Sequence, residues 1–255
     1  MASFIRQIVL ASLLLVLITT ACDSPTPTPT LKHTQIPPTA TPFSNIPSNL
    51  TSQQYMERAY QYSIEGAYQK AIDNYDEAIR LDPQDAKSYY NRGLTYSYLG
   101  QYEKAVQNYS EAIRLDPQPN TYLGRGVSYK VLGQSERAIQ DFDEAIRLDP
   151  QYTKAYYNRG NAYNTLGQSE RAIQDFDEAI RLDPQYTKAY YSRGVTYRHL
   201  EHYEKAIQDY SETIRIDPQD AMAYYSRGIS YEELGQQNNA DTDKKRACEL
   251  DSKFC

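Results

Sequence analysis

The string GQSERAIQDFDEAIRLDPQYTKAYY occupies Gly133–Tyr157 and returns unchanged at Gly167–Tyr191, an offset of 34 residues. Few folds tolerate such a chain. Self-similarity at one fixed period means that a small supersecondary unit is stacked on copies of itself. Looser copies run through Gln69–Tyr90, Tyr102–Leu115 and Tyr203–Tyr225. The period divides the region into six units at 52–85, 86–118, 119–152, 153–186, 187–220 and 221–255. The second is one residue short between Pro117 and Tyr122, in a turn, where a deletion is absorbed most easily.

Each unit holds two helical patterns. In the fourth, Tyr156, Gly160 and Tyr163 mark a first helix that ends at Leu166-Gly167. Ala172, Ile173, Phe176, Ala179, Ile180 and Leu182 mark a second, ending at Asp183-Pro184. Apolar residues spaced by three and four share one helical face. Glycine takes the conformation that a helix end needs, and proline cannot continue a helix. Thr51-Ser52-Gln53-Gln54 forms a capping box for the first helix. Small residues recur where two helices must approach. Ala59, Gly93, Gly126, Gly160, Gly194 and Gly228 hold the eighth place, and alanine holds the twentieth throughout. Alanine also holds the twenty-seventh, except at Thr213. Large rings fill between them, from Tyr62 to Tyr231 on first helices and from Tyr75 to Tyr210 on second helices.

This pattern resembles the tetratricopeptide repeat, over Ser52–Cys255, about four fifths of the chain. The resemblance implies an all-α fold, an α-solenoid of antiparallel helix pairs wound into a right-handed superhelix. First helices then line a concave groove and second helices form the convex back. One departure is arginine at the seventh place (Arg58, Arg92, Arg125, Arg159, Arg193, Arg227), where the family favours leucine. An identical cation in every unit suits a repeated internal contact, its stem packed and its guanidinium paired with Asp or Glu. The alternative is an arginine ladder that faces a ligand. Glu77–Arg80 and its copies at i,i+3 support the second helices.

On the family geometry the groove is lined by Lys87, Tyr90, Asn91 and Leu94 of the second unit and Lys130 of the third. Lys154, Tyr157, Asn158, Asn161 and Asn164 follow in the fourth, then Lys188, Tyr191 and Arg198 in the fifth. Asparagine can hold an extended backbone, and tyrosine offers rigid area with a polar tip. The two-cation, two-asparagine clamp with which some relatives grip a chaperone's terminal carboxylate is not assembled by any successive units.

Residues 1–21 read as an export signal: Arg6, the apolar run Ile8–Ile18, then Thr19, Thr20 and Ala21. The run is shorter than the roughly 20 residues a membrane span requires. With Cys22 the ending resembles a bacterial lipobox, which implies lipidation at Cys22, although Thr19 stands where an apolar residue is usual. Simple secretion and an uncleaved anchor are the alternatives. Residues 22–51 form a Thr/Pro-rich linker with seven prolines between Pro25 and Pro47, an extended spacer with a reach of up to about 90 Å.

The histidines His33, His199 and His202 form no catalytic or metal constellation, and no phosphate-binding loop occurs. Neither enzyme activity nor a cofactor is expected. A net charge of −6 argues against nucleic acid and makes a cationic or neutral polypeptide the easier partner. Contact with a membrane is expected through the lipid anchor alone. Three cysteines make no framework. Cys248 and Cys255 are too far apart to pair on a continuous helix and meet only if the tail turns back beyond Asp251. The favoured role is an exported, lipid-anchored scaffold that binds protein or peptide segments in its groove. An accessory subunit of an envelope enzyme, a glycan-binding array and a structural spacer are the alternatives.

Overall fold

The computed structural model describes residues 50–255. The export signal, Cys22 and the linker up to residue 49 lie outside the described residues. From Ser52 onward the chain is an α-solenoid of six helix pairs. The first helices are α1 (Ser52–Ile64), α3 (Ala86–Tyr98), α5 (Pro119–Val131), α7 (Thr153–Thr165), α9 (Thr187–His199) and α11 (Ala221–Glu233). The second helices are α2 (Tyr68–Leu81), α4 (Tyr102–Leu115), α6 (Ser135–Leu148), α8 (Ser169–Leu182), α10 (Tyr203–Ile216) and α12 (Gln237–Leu250).

Local chemistry sets these boundaries. Thr51 caps α1 with the expected capping box. Asp85 accepts from the backbone of Lys87 and Ser88 at the start of α3, and Asp220 accepts from Ala223 at the start of α11. In the shortened second connection Pro119 opens α5, a position where the missing N–H costs nothing. After five of the second helices an aspartate accepts from the backbone two residues on, as Asp149 does from Gln151 at 3.0 Å, and so closes the turn. Within the pairs, Gly167 turns the chain at φ +71. At the same place in the fifth pair stands Glu201 at φ 60, a left-handed conformation that costs an L-residue about 1–2 kcal/mol.

The core runs along the axis of the stack. Ala138, Ala172 and Ala206 are fully buried, and Phe142, Phe176 and Tyr210 fill the space beside them. Glycine is required where the first helix meets that ring: a Cβ on Gly160 would lie 2.7 Å from Phe176 Cε1. At Thr213, where other pairs have alanine, the buried hydroxyl donates to the Asp209 carbonyl at 3.1 Å and so remains satisfied. In the last pair Lys244 replaces the ring, and its ammonium reaches Glu232 at 2.5 Å, which gives the end of the stack a polar face.

At the C-terminus the tail turns back beyond Asp251, the condition under which Cys248 and Cys255 can meet. Helix α12 stops at Leu250, Asp251 is extended, and its carboxylate accepts from Lys253 N to start a 3-10 turn over Ser252–Phe254. The tail therefore folds back, and Cys255 forms a disulfide with Cys248. Phe254 is laid against Tyr225 with ring centroids 5.0 Å apart.

Two substitutions test the packing and turn arguments. Gly160→Ala should lower stability by about 1–3 kcal/mol despite alanine's better helix propensity, because the ring has no room to yield. Glu201→Gly should raise it by about 1 kcal/mol. Urea denaturation followed by circular dichroism reads both, and a neutral or stabilising Gly160→Ala would contradict the packing.

Candidate functional site

Besides packing on their partners, successive first helices touch one another: α1 meets α3, α3 meets α5, and so on to α11. They form one inner wall. What that wall presents depends first on what is held behind it.

The seventh-place arginines point backwards. Arg159 donates from Nε and Nη2 to both oxygens of Asp175 at 2.9 and 2.6 Å. Arg125 does the same to Asp141, Arg193 to Asp209 and Arg227 to Asp243. Arg58 and Arg92 use Asn74 and Asn108 instead. The remaining nitrogen crosses to the preceding pair. Arg159 Nη1 meets Asp143 at 2.5 Å, Arg193 meets Asp177, Arg92 meets Asp76, and Arg125 and Arg227 each reach a serine at 3.0 Å. Each arginine thus ties its own two helices together, and those that cross over also join their pair to the one before. The Asp175 side chain is only 6% exposed. Burial raises its carboxyl above the usual range, opposed by the hydrogen bonds from Arg159. Burial also works against the charge of Arg159, but Asp175 and Asp143 outweigh it and hold the guanidinium above its ordinary range. These cations are internal staples and do not face a ligand.

On the inner wall itself, the fifth-place tyrosines are wedged. Tyr157 lies 6.1 Å from the Phe176 ring and 5.2 Å, edge-on, from Tyr186; Tyr191 lies 5.5 Å from Tyr210. The Tyr191 hydroxyl is also 3.0 Å from Ser226 Oγ. Tyr90 packs at 5.8 Å on Tyr109, beside Asn120, and burial raises its phenol. Several groove asparagines are structural. Asn158 donates to the carbonyl of Lys154 at 2.8 Å. Asn164 donates to Thr196 Oγ1 at 2.8 Å and so bridges α7 to α9, as Ser63 and Thr95 bridge α1 to α3. Leu94 and Asn91 are half-buried on α3, while Lys87 and Lys188 are exposed and Lys130 is half-buried.

Four buried side-chain atoms stand apart, the Tyr75 and Tyr210 hydroxyls among them. Asn161 Nδ2 and Arg198 Nε are closed off from solvent, yet neither has a hydrogen-bond partner. Arg198 lies beside the Tyr210 hydroxyl, whose proton is held tightly by burial, but no bond of good geometry joins them. Lys154 sits near Lys188; burial and then that second charge lower its pKa. At the other end of the wall, Tyr60 and Ile64 are 53% and 63% exposed, and Val131 is 48% exposed.

Sequence reasoning left out two pairs of contributors. Tyr60 and Ile64 occupy the ninth and thirteenth places of the first unit, the places that Leu94 and Val131 hold further on, and both are exposed. Tyr152 and Tyr186 stand just before a first helix, in a segment read only as a turn; Tyr152 has its phenol pushed up to about 12 by burial and by nearby Tyr90. Their recurrence at the 34-residue offset was the available signal. Among the described residues, no cluster of His, Cys, Asp and Glu is arranged to hold a metal ion, and no helix is long and apolar enough to cross a membrane.

An inner wall of first helices, repeated alanine–glycine–aromatic packing and this turn chemistry define a helical repeat scaffold. The chain belongs to the tetratricopeptide repeat family. Models described as "Tetratricopeptide repeat" match residues 86–119, 153–186, 187–220 and 221–254, and one described as "TPR repeat" matches 59–97 and 128–167. No curated protein sequence matches it significantly. Among solved structures, MamA is 31% identical over 66% of this chain and 92% of its own, with a TM-score of 0.60. PilW, titled a widely conserved type IV pilus biogenesis factor, reaches a TM-score of 0.71 at 19% identity, over 82% of this chain and 96% of its own. YrrB, titled a TPR protein with an unusual peptide-binding site, reaches 0.58 at 23% identity, over 70% and 92%. The latter two likenesses bear on the fold alone.

The staples yield a graded prediction. Arg159→Ala leaves Asp175 charged and buried without its partner, and should cost about 3 kcal/mol. Asp175→Asn should cost less than about 1 kcal/mol, because Asn74 and Asn108 already accept from arginine at 2.6 and 2.7 Å in the first two pairs. Chemical denaturation of the two variants checks the order, and equal losses would contradict it.

Proposed function

We propose that this protein is a non-catalytic scaffold that binds segments of other proteins along the inner wall of its six helix pairs. The observation that carries this reading is the contrast between the two layers of the wall. The arginines and the Asn158 and Asn164 amides are committed to internal bonds, whereas the exposed side chains of Tyr60 and Ile64 on α1 and Val131 on α5 remain for a ligand. Wedged tyrosines keep the surface between them rigid, so little order is lost on binding.

The protein is exported and held at the membrane by lipid on Cys22, with residues 23–51 as the spacer that carries the repeats away from the bilayer. The Cys248–Cys255 disulfide supports export, since such bonds persist in oxidising compartments. A single acyl chain anchors only marginally, and the several chains of a lipobox cysteine would hold firmly.

Two measurements test these statements. Affinity capture from native membranes with the wild-type protein should recover a partner that the triple variant Tyr60→Ala, Ile64→Ala and Val131→Ala loses while it keeps its helical spectrum. Equal capture by both would move the binding face elsewhere. Cys22→Ser should release the protein from the membrane fraction after export, and its retention there would mean that the apolar run itself is the anchor.

A further inference from the structure

The Cys248–Cys255 disulfide sits at a defined point of the repeat register. At the 34-residue offset, Cys248 falls on Ile214, Asp251 on Asp217, Phe254 on Asp220 and Cys255 on Ala221, the first residue of α11. Residues 251–255 thus repeat the turn that joins a second helix to the next first helix, down to the aspartate that accepts from the backbone two residues on. In the fourth pair the ring at this register is pinned by the helix that follows it: Tyr186 runs directly into α9, and α9 packs against α8. Phe254 is pinned by the covalent bond between its neighbour Cys255 and α12.

The other contacts of this segment are slight. None of residues 251–255 is fully buried, and Ser252, Lys253 and Cys255 are exposed. The backbone bonds of Phe254 to Asp251 and of Cys255 to Ser252 lie within it. The Lys253 ammonium pairs with Asp251 at 2.8 Å and lies 4.9 Å from the centre of the Phe254 ring, again within it. The contact that reaches past α12 is the Phe254 ring on Tyr225. One ring contact does not offset the entropy of ordering five residues. A disulfide that closes a loop with a sequence separation of 7 removes much of that entropy beforehand. It is also within reach of a reductant, since Cys255 is exposed and Cys248 half-buried. We infer that Cys248 and Cys255 form a redox latch. Oxidised, it lays Phe254 against Tyr225; reduced, it frees residues 252–255 and uncovers that ring at the C-terminal end of the inner wall. Opening consumes two electrons and two protons. A thiolate of an external dithiol attacks one sulfur, the S–S bond breaks, the second thiol of the reductant closes its own disulfide, and two protein thiols remain. The latch stands on the contacts of the segment itself and is independent of what the groove binds.

The test compares the full chain in a neutral detergent before and after reduction with dithiothreitol, itself a dithiol. Hydrogen exchange reads the amides of Lys253, Phe254 and Cys255, and hydroxyl-radical footprinting reads the Tyr225 ring, both by mass spectrometry. Reduction should speed exchange at those amides about tenfold. It should also raise labelling of Tyr225 while Tyr157, held by Phe176 and Tyr186, is unchanged. Cys255→Ser should show the open pattern without reductant and not respond to it. Phe254→Ala keeps the disulfide and should label at Tyr225 in both states. Cys22→Ser, run in parallel, should respond as the wild type does; a lost response would assign the effect to that thiol and overturn the latch. Unchanged exchange and labelling on reduction would mean that packing alone holds the segment, and would overturn it too. Faster exchange with unchanged labelling of Tyr225 overturns the uncovering. Loss of the α11 and α12 helical signal on reduction makes the disulfide a structural brace and overturns the switch.

Discussion

The guanidinium of each seventh-place arginine is the contact on which the rest of this solenoid depends. A leucine there would only fill space. In the last four pairs arginine closes its own helix pair through a bidentate bond, as Arg159 does to Asp175, and it reaches the preceding pair through Nη1, as Arg159 does to Asp143. Its planar fork suits that double task, which a lysine could not perform. Arg159 and Asp175 lie largely out of water, so neither can be removed without leaving the other uncompensated. Cations from the inner helices and carboxylates from the outer ones are thereby consumed in pairs from the second helix pair to the sixth.

That consumption shapes the binding surface. With the arginines turned backwards, the inner wall is left to tyrosines, asparagines and a few lysines. The tyrosines are not free arms. Tyr157 is held between Phe176 and Tyr186, and Tyr225 meets Phe254 at the end of the array. Phe254 falls in the same register as Tyr152 and Tyr186, so it meets Tyr225 from the place where Tyr186 meets Tyr157. It is held there by a tail that the disulfide clasps to α12. Phe254 thereby supplies the sixth pair with the ring that Tyr186 supplies to the fourth.

Much of this was legible in the chain. The 34-residue offset, the small residues at Gly160, Ala172 and Ala179, and the ring at Phe176 are direct consequences of two helices packing closely, and that requirement is written locally. The pairing of the arginines was legible too, since a cation repeated in every unit needs a repeated anion. Other features depend on contacts between units, which periodicity does not report. Asn164 looks like a ligand-binding amide until its bond to Thr196, 32 residues away, is seen. The reversal that joins Cys248 to Cys255 turns on one extended residue, Asp251, and a bond to Lys253 N. Whole-chain charge does not report its own distribution: the total is −6, whereas α3, α5, α7 and α9 carry no acid.

Native-state hydrogen exchange on the wild type and on Arg159→Ala is the most direct test of the stapling. If Arg159 couples its pair to the one before it, its loss should weaken protection in α6, α7 and α8 together, with the pairs at the ends of the chain little changed. Loss of protection confined to α7 would mean that the pairs are joined by apolar packing alone, and would contradict the account.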